Sequence, residues 1–501
     1  MEFFDNLAIG FGVALTPANL GFAFVGAMVG TLIGVLPGIG PIATIAMLLP
    51  LTFHLEPVSG LIMLAGIFYG AQYGGSTTAI LVNIPGETSS VVTCIDGHQM
   101  ARRGRAGAAL AIAALGSFFA GCVSTAIIAT FAPPLAVVAQ SFGAPEYFAL
   151  MLLGLVAAVV LAHGSVIKAI AMVVLGLLLG LIGTDGNTGG TRFTFGFTQL
   201  SDGLDFVPLV IGLFGLGEVI VNLAHPDPLR TVVTKKVTGL WLTKEEFRQA
   251  WPAVLRGTGL GSLLGVLPGG GATLSSFAAY VLEKKVAKDP SRFGRGAIEG
   301  VAGPESANNA GAQTSFIPML TLGIPGNAVM ALMIGALTIH GIQPGPQIMT
   351  ERPALFWGMV ASMWIGNLML VIINLPLIGI WVQLLKVPYR ILYLSILLFC
   401  AIGVYTVNNS SFDVVMAALF GVLGYVFIRL ECEPAPLILG FVLGPLMEDN
   451  LRRALRISSG DPMIFIERRI SLVLLSAALL LLIMVALPAI RSKREEAFQE
   501  N

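Results

Sequence analysis

Two copies of one short phrase interrupt apolar stretches, Gly34-Val35-Leu36-Pro37-Gly38-Ile39-Gly40 and Gly265-Val266-Leu267-Pro268-Gly269-Gly270-Gly271. A second pair follows each copy. Gly70-Ala71-Gln72 leads to Ile84-Pro85-Gly86, and Gly311-Ala312-Gln313 leads to Ile324-Pro325-Gly326. Glycine and proline at membrane depth free backbone groups that hydrocarbon cannot satisfy, so such breaks persist only where protein or a wet cavity covers them. Paired interruptions at matching positions of two halves point to the substrate site of a transporter. The repeated order predicts a duplicated membrane transporter, with one repeat in residues 1–240 and the second in residues 241–501.

Composition supports the membrane reading. The chain is 55% hydrophobic and 11% charged, whereas about 25% of an ordinary soluble domain is charged. Its 28 basic and 28 acidic residues cancel, so net charge gives no argument for nucleic acid or an acidic partner. The charges fall in short blocks between long uncharged runs, which predicts an all-α polytopic protein of roughly 10–12 membrane segments, each crossing taking about 20 residues. Crossings are expected near 107–132, 147–163, 166–184, 206–223, 355–375, 389–404, 413–430 and 471–490. Met1 to Leu15 has no basic leader or small-residue cleavage site and reads as an interfacial helix.

The basic residues also predict orientation. In the first half Arg102, Arg103 and Arg105 follow the Ile-Pro-Gly break, and none precedes Gly70 after the Leu-Pro-Gly break. In the second half Lys284, Lys285, Lys288, Arg292 and Arg295 come before Gly311. Basic loops stay in the cytoplasm, so equivalent elements face opposite sides, the pattern of two inverted-topology repeats. Leu20 to Phe53 and Pro252 to Glu283 are then expected as re-entrant hairpins with arms about half the length of a crossing. Each repeat would also carry one broken helix. The tail Arg491-Lys493-Arg494 leaves the C-terminal topology open.

At a hairpin tip, glycine permits close backbone approach, and the helix that starts there aims its N–H groups and positive dipole end at the break. The expected substrate contacts at the tips are Gly38, Ile39, Gly40, Gly269, Gly270, Gly271 and Thr273, with Thr44, Ser275 and Ser276 as further hydroxyls. Polar residues around the second breaks complete the set: Ser76, Thr77, Thr78, Pro85 and Gly86, then Asn309, Gln313, Thr314, Pro325 and Gly326. Oxygen ligands suit a hard cation, and a sodium ion is expected near Gly38, Asn83, Gly269, Asn308 and Thr321, with a proton as the alternative. Glu218, a carboxylate in an apolar run, is a further ion candidate.

Other chemistry finds little support. Cys94, Cys122, Cys400 and Cys432 form no metal or redox pair, the five histidines are isolated, and no catalytic residue or resident cofactor is expected. Lys168 reads as a snorkelling side chain. Neither glycine-rich break is followed by Lys-Ser or Lys-Thr, which excludes a phosphate loop. An intramembrane enzyme acting on a lipid-linked intermediate would need convergent acid, base or metal groups, and a membrane scaffold would leave the mirrored breaks unexplained.

Further phrases carry a resemblance: Tyr73-Gly74-Gly75-Ser76, Asp96-Gly97, Gly183-Thr184-Asp185 with Arg192-Phe193-Thr194-Phe195-Gly196, Ile298-Glu299-Gly300-Val301, Pro304-Glu305-Ser306-Ala307-Asn308-Asn309 and His340-Gly341 with Gln343-Pro344-Gly345-Pro346. With the breaks, they make residues 20 to 350 resemble the large membrane subunit of the tripartite tricarboxylate transporters. The resemblance implies a secondary transporter of the bacterial cytoplasmic membrane, working with a small membrane subunit and a periplasmic binding protein. It also implies di- or tricarboxylates or related organic acids as substrates, with uptake driven by an ion gradient, commonly sodium.

Overall fold

A computed structural model describes residues 2–36, 40–162, 165–185, 188–224, 237, 239–267, 271–385 and 389–486. Four helices open the chain: α1 (Glu2–Ala14), α2 (Pro17–Val35), α3 (Pro41–Thr52) and α4 (Pro57–Val82). The last three start on proline, whose missing N–H is not needed at a first helical position. α4 stops at Asn83, which takes the left-handed conformation at φ 60°. The chain then passes through a 3-10 turn at Thr88–Ser90 into α5 (Val91–Met100), α6 (Ala106–Ala139), α7 (Ala144–Leu161) and α8 (Val166–Gly180). A small antiparallel hairpin pairs β1 (Gly183–Thr184) with β2 (Thr191–Arg192). α9 (Phe206–Val210), a π-helical segment at Ile211–Leu216 and α10 (Gly217–Ala224) follow.

The second part runs through α11 (Lys244–Gly265), α12 (Gly271–Val286), α13 (Glu299–Thr314), α14 (Phe316–Leu322) and α15 (Ala328–Ile339). Next come α16 (Gln347–Glu351), α17 (Pro353–Asn374), α18 (Ile378–Leu384), α19 (Tyr389–Asn408) and α20 (Ser411–Arg429). α21 (Ala435–Ile457), α22 (Ile464–Glu467) and α23 (Arg469–Ala486) end the described chain. The expected crossings fall on α6, α7, α8, α9 to α10, α17, α19, α20 and α23. By length and apolarity alone, α2, the run containing α6, α17 and α20 can cross a membrane.

One feature differs from expectation. The arms entering the breaks are full-length, α2 having 19 residues and α11 having 22. Thr16 caps α2 early, accepting from the Asn19 backbone N–H, and a reciprocal Thr243–Glu246 capping box starts α11 ahead of its apolar part. The arms leaving the breaks are shorter, α3 having 12 residues and α12 having 16, so the expected short arms are found on the leaving side alone. α1 lies along α17, with Phe3 edge-on to Trp357 at 5.9 Å between ring centroids.

Glycine seams set the helix pairs that lead into the breaks. A Cβ on Gly26, Gly30 or Gly34 of α2 would stand 2.3, 2.3 or 2.2 Å from the Met63, Ile67 or Ala71 carbonyl oxygen of α4. A Cβ on Gly257, Gly261 or Gly265 of α11 would likewise stand 2.2, 2.3 or 2.3 Å from the Gly303, Ala307 or Gly311 carbonyl oxygen of α13. Small residues four apart on one face let two backbones touch, the usual means of close helix packing in lipid. Both seams run up to a Leu-Pro-Gly break.

Along the α13 seam lies the most polar buried helix. Glu305, Ser306, Asn308, Asn309, Gln313 and Thr314 are each buried, while Val415, Leu419 and Val422 of α20 are exposed. Such an inside-out distribution suits a chain whose exterior meets lipid.

Candidate functional site

The sequence places the site at the two tips. Gly38, Ile39, Gly269 and Gly270 lie outside the described residues. Their neighbours Gly40 and Gly271 stand at the starts of α3 and α12. Gly40 N–H donates to Glu218 Oε1 at 3.3 Å, so the carboxylate flagged in the sequence holds the α3 cap.

A cavity of about 200 Å³ lies beside these helix starts. Its lining includes Pro41 and Ile42 of α3, Gly271 to Thr273 of α12, Ala328 and Val329 of α15, and Ala435 and Pro436 of α21. Four helices of twelve residues or more thus begin at one cavity. The first turn of a helix presents unpaired N–H groups and the positive end of its dipole, a setting that favours anions. Glu87, Thr88, Gly326, Asn327 and Glu433 also line the cavity. Across it the Thr88 and Thr273 hydroxyl oxygens share a hydrogen bond at 3.1 Å, joining the two halves of the chain.

The break geometry explains these positions. Asn83 and Gly323 are both left-handed, at φ 60° and 71°, and end α4 and α14. Each is followed two residues later by Pro-Gly and then by a capping residue, Glu87 or Asn327. Glu87 accepts the Ser89 hydroxyl and caps the 3-10 turn. Asn327 Oδ1 accepts from Met330 N–H at 3.0 Å and caps α15.

Of the expected contacts, Gly271, Thr273 and Gly326 line the cavity. The others that are described are not among its lining residues. Ser76 and Thr77 border a separate space of about 10 Å³ with Tyr73 and Ser117. Thr78 donates to the Val35 carbonyl at 2.9 Å, satisfying the end of α2. A Cβ on Gly86 would stand 2.0 Å from the Gly34 carbonyl, so Pro85-Gly86 packs on α2. Asn309 donates to Ser117 Oγ at 2.6 Å and Gln313 Oε1 accepts from Thr125 at 2.6 Å, binding α13 to α6. The Thr314 and Thr321 hydroxyls donate to carbonyls one turn back, as do those of Thr44 and Ser275. Pro325 is buried at the second break and Asn83 is exposed. Glu87, Thr88, Asn327 and Glu433 are lining residues outside the contacts expected from the sequence.

The tripartite tricarboxylate transporter TctA family matches residues 20–439. The chain belongs to this family. It is 60% identical over 501 residues, covering all of both chains, to an Agrobacterium vitis protein described as an uncharacterized 52.8 kDa protein in the TAR-I ttuC' 3' region. It is 61% identical over 241 residues to an uncharacterized protein of the TAR-II ttuC' 3' region of the same organism, covering 48% of this chain and 100% of that one. No solved structure matches the chain. TctA is a transporter family, and membership in it implies a subunit of a tripartite tricarboxylate transporter.

Proposed function

We propose that the chain forms the translocation path of an ion-coupled importer of di- and tricarboxylates or related organic acids. It spans the bacterial inner membrane several times, receives its substrate from a periplasmic binding protein, and works with a small membrane subunit. The two Leu-Pro-Gly breaks are the tips of re-entrant hairpins in two inverted repeats. The matching glycine seams and matching capped breaks support that duplication.

The observation that carries the reading is the convergence of four helix starts on one cavity. Each start favours an anion by about 0.3–1 kcal/mol, and by up to about 2 kcal/mol when partly buried. The Thr88 and Thr273 hydroxyls supply donors for the remaining carboxylate oxygens. Sodium is the coupling ion in this reading.

The test is uptake by proteoliposomes holding the chain and both partners. Under an imposed inward sodium gradient, at least one labelled acid from a panel headed by citrate should accumulate, and a sodium ionophore should collapse the accumulation. Absence of accumulation for every acid in the panel would overturn the proposal.

A further inference from the structure

Glu87 in the first half of the chain bonds to Asn308 in the second, one turn along α13 from Glu305. Asn308 Nδ2 donates to Glu87 Oε1 at 3.3 Å. Three residues earlier on the same face of α13, Glu305 accepts the Ser76 hydroxyl at 2.6 Å and the Thr93 hydroxyl. Glu305 and Asn308 are 1% and 0% exposed. Among the described residues, no lysine, arginine or histidine forms an ion pair with either carboxylate.

A second observation marks the place as a ligand site. The Asn308 Oδ1 atom is buried without a hydrogen-bond partner. It shares a carbon with the Nδ2 that touches Glu87, so this orphan acceptor lies beside the Glu87 carboxylate. A buried acceptor without a donor is costly, and a buried carboxylate without a counter-charge more so. The Ser76 and Thr93 hydroxyls have lone pairs to offer once turned. The side chains that hydrogen-bond the two carboxylates are hydroxyls and the Asn308 amide, and none of them brings positive charge.

We propose that Glu87, Asn308 and Glu305, with Ser76 and Thr93, bind the sodium ion that drives transport. This deepens the ion-coupled reading and rests on it. Hard cations take carboxylate, amide carbonyl and hydroxyl oxygens, the set assembled here. Glu87 also lines the cavity at the four helix starts. A cation on Glu87 offsets one of the two carboxylates, Glu87 and Glu433, that line the cavity an incoming carboxylate enters, which links the two ligands through one side chain.

The test is equilibrium binding of radioactive sodium to the purified full chain in nanodiscs, read separately from transport. The wild type should bind sodium saturably. Glu87→Gln and Asn308→Ala should each raise the dissociation constant at least tenfold, and Lys168→Gln should leave it unchanged. Glu305→Gln should do the same as Glu87→Gln; should that variant fail to fold, Glu87 on the cavity wall and Asn308 carry the test, with gel filtration verifying their fold. Unchanged sodium binding in the Glu87 and Asn308 variants would overturn the site while leaving coupled transport intact. A wild type that binds no sodium but transports on a proton gradient would also overturn it. Failure of uptake under every gradient would instead strike the transport reading.

Discussion

The Ser76 hydroxyl donates to Glu305 Oε2 at 2.6 Å although 229 residues separate the two in sequence. Both side chains are buried. The bond joins α4 in the first half to the polar face of α13 in the second, and it shows how amides and hydroxyls can serve packing as well as a site. Three buried bonds of this kind, from Ser76, Asn309 and Thr125, fasten α13 to α4 and α6. Each contributes about 1 kcal/mol.

The glycine seams should tolerate no side chain. In Gly261→Val a Cβ would stand 2.3 Å from the Ala307 carbonyl oxygen, where only backbone could yield. Overpacking of that kind costs about 3 kcal/mol or more. The variant is expected to lose its monodisperse gel-filtration peak or to melt well below wild type. Gly259→Ala, with nothing within 4 Å, is expected to match wild type in both assays.

Substitution at the tip should separate transport from folding. Gly270→Val is expected to abolish uptake at near-normal membrane abundance, because bulk at a tip blocks close approach. Gly116 of α6 is no neutral control, since a Cβ there would stand 2.8 Å from Ser306 Oγ. Gly366, with nothing within 4 Å, is the proper control, and Gly366→Ala should transport normally. Lys168→Gln should retain at least half of wild-type uptake. The Lys168 ammonium donates to the Leu430 carbonyl at 2.8 Å and pairs with exposed Glu431 at 3.3 Å, a surface contact worth under about 1 kcal/mol.

Much of the architecture was legible because glycine and proline punctuate a membrane chain strongly. The breaks at Asn83 to Gly86 and Gly323 to Gly326, and the helices α6 to α8, α17, α20 and α23, follow from that punctuation and from apolar length. The candidate site was legible only in part. Gly271, Thr273 and Gly326 reach the cavity, but α21 also begins there, and no local pattern ties Ala435 to residues far upstream. The polar run of α13 could not be sorted by sequence, since Asn309 bonding to Ser117 and Asn308 bonding to Glu87 use the same amide chemistry.

The phrase Gly183-Thr184-Asp185 with Arg192 has a structural use. Asp185 pairs with Arg192 at 2.7 Å and with Arg452 at 3.2 Å, and Glu448 pairs with the same two arginines at 3.0 and 2.6 Å. The network ties the β1–β2 hairpin to α21. Asp185→Ala is expected to destabilise by about 1 kcal/mol, lowering the melting temperature by about 1–3 °C, with smaller loss at high salt because screening weakens the wild-type network.

The inverted repeat can be read by labelling. In a protein freed of Cys94, Cys122, Cys400 and Cys432, single cysteines placed by Glu56→Cys and Lys288→Cys occupy exposed positions before α4 and after α12. An impermeant maleimide should reach the first from the periplasmic side and the second only after the membrane is opened. Labelling of both from one side would rule out the inversion.

The most direct test of the central claim asks whether a carboxylate occupies the cavity at the four helix starts. Thr273→Cys places a thiol on the cavity wall, and Ser410→Cys places one in a separate acidic cavity beside Asp205 and Asp413. In sodium, a transported carboxylate is expected to slow alkylation of the first thiol at least fivefold and to leave the second unchanged. Equal alkylation of the first thiol with and without every carboxylate that the protein transports would contradict the account and place the substrate elsewhere.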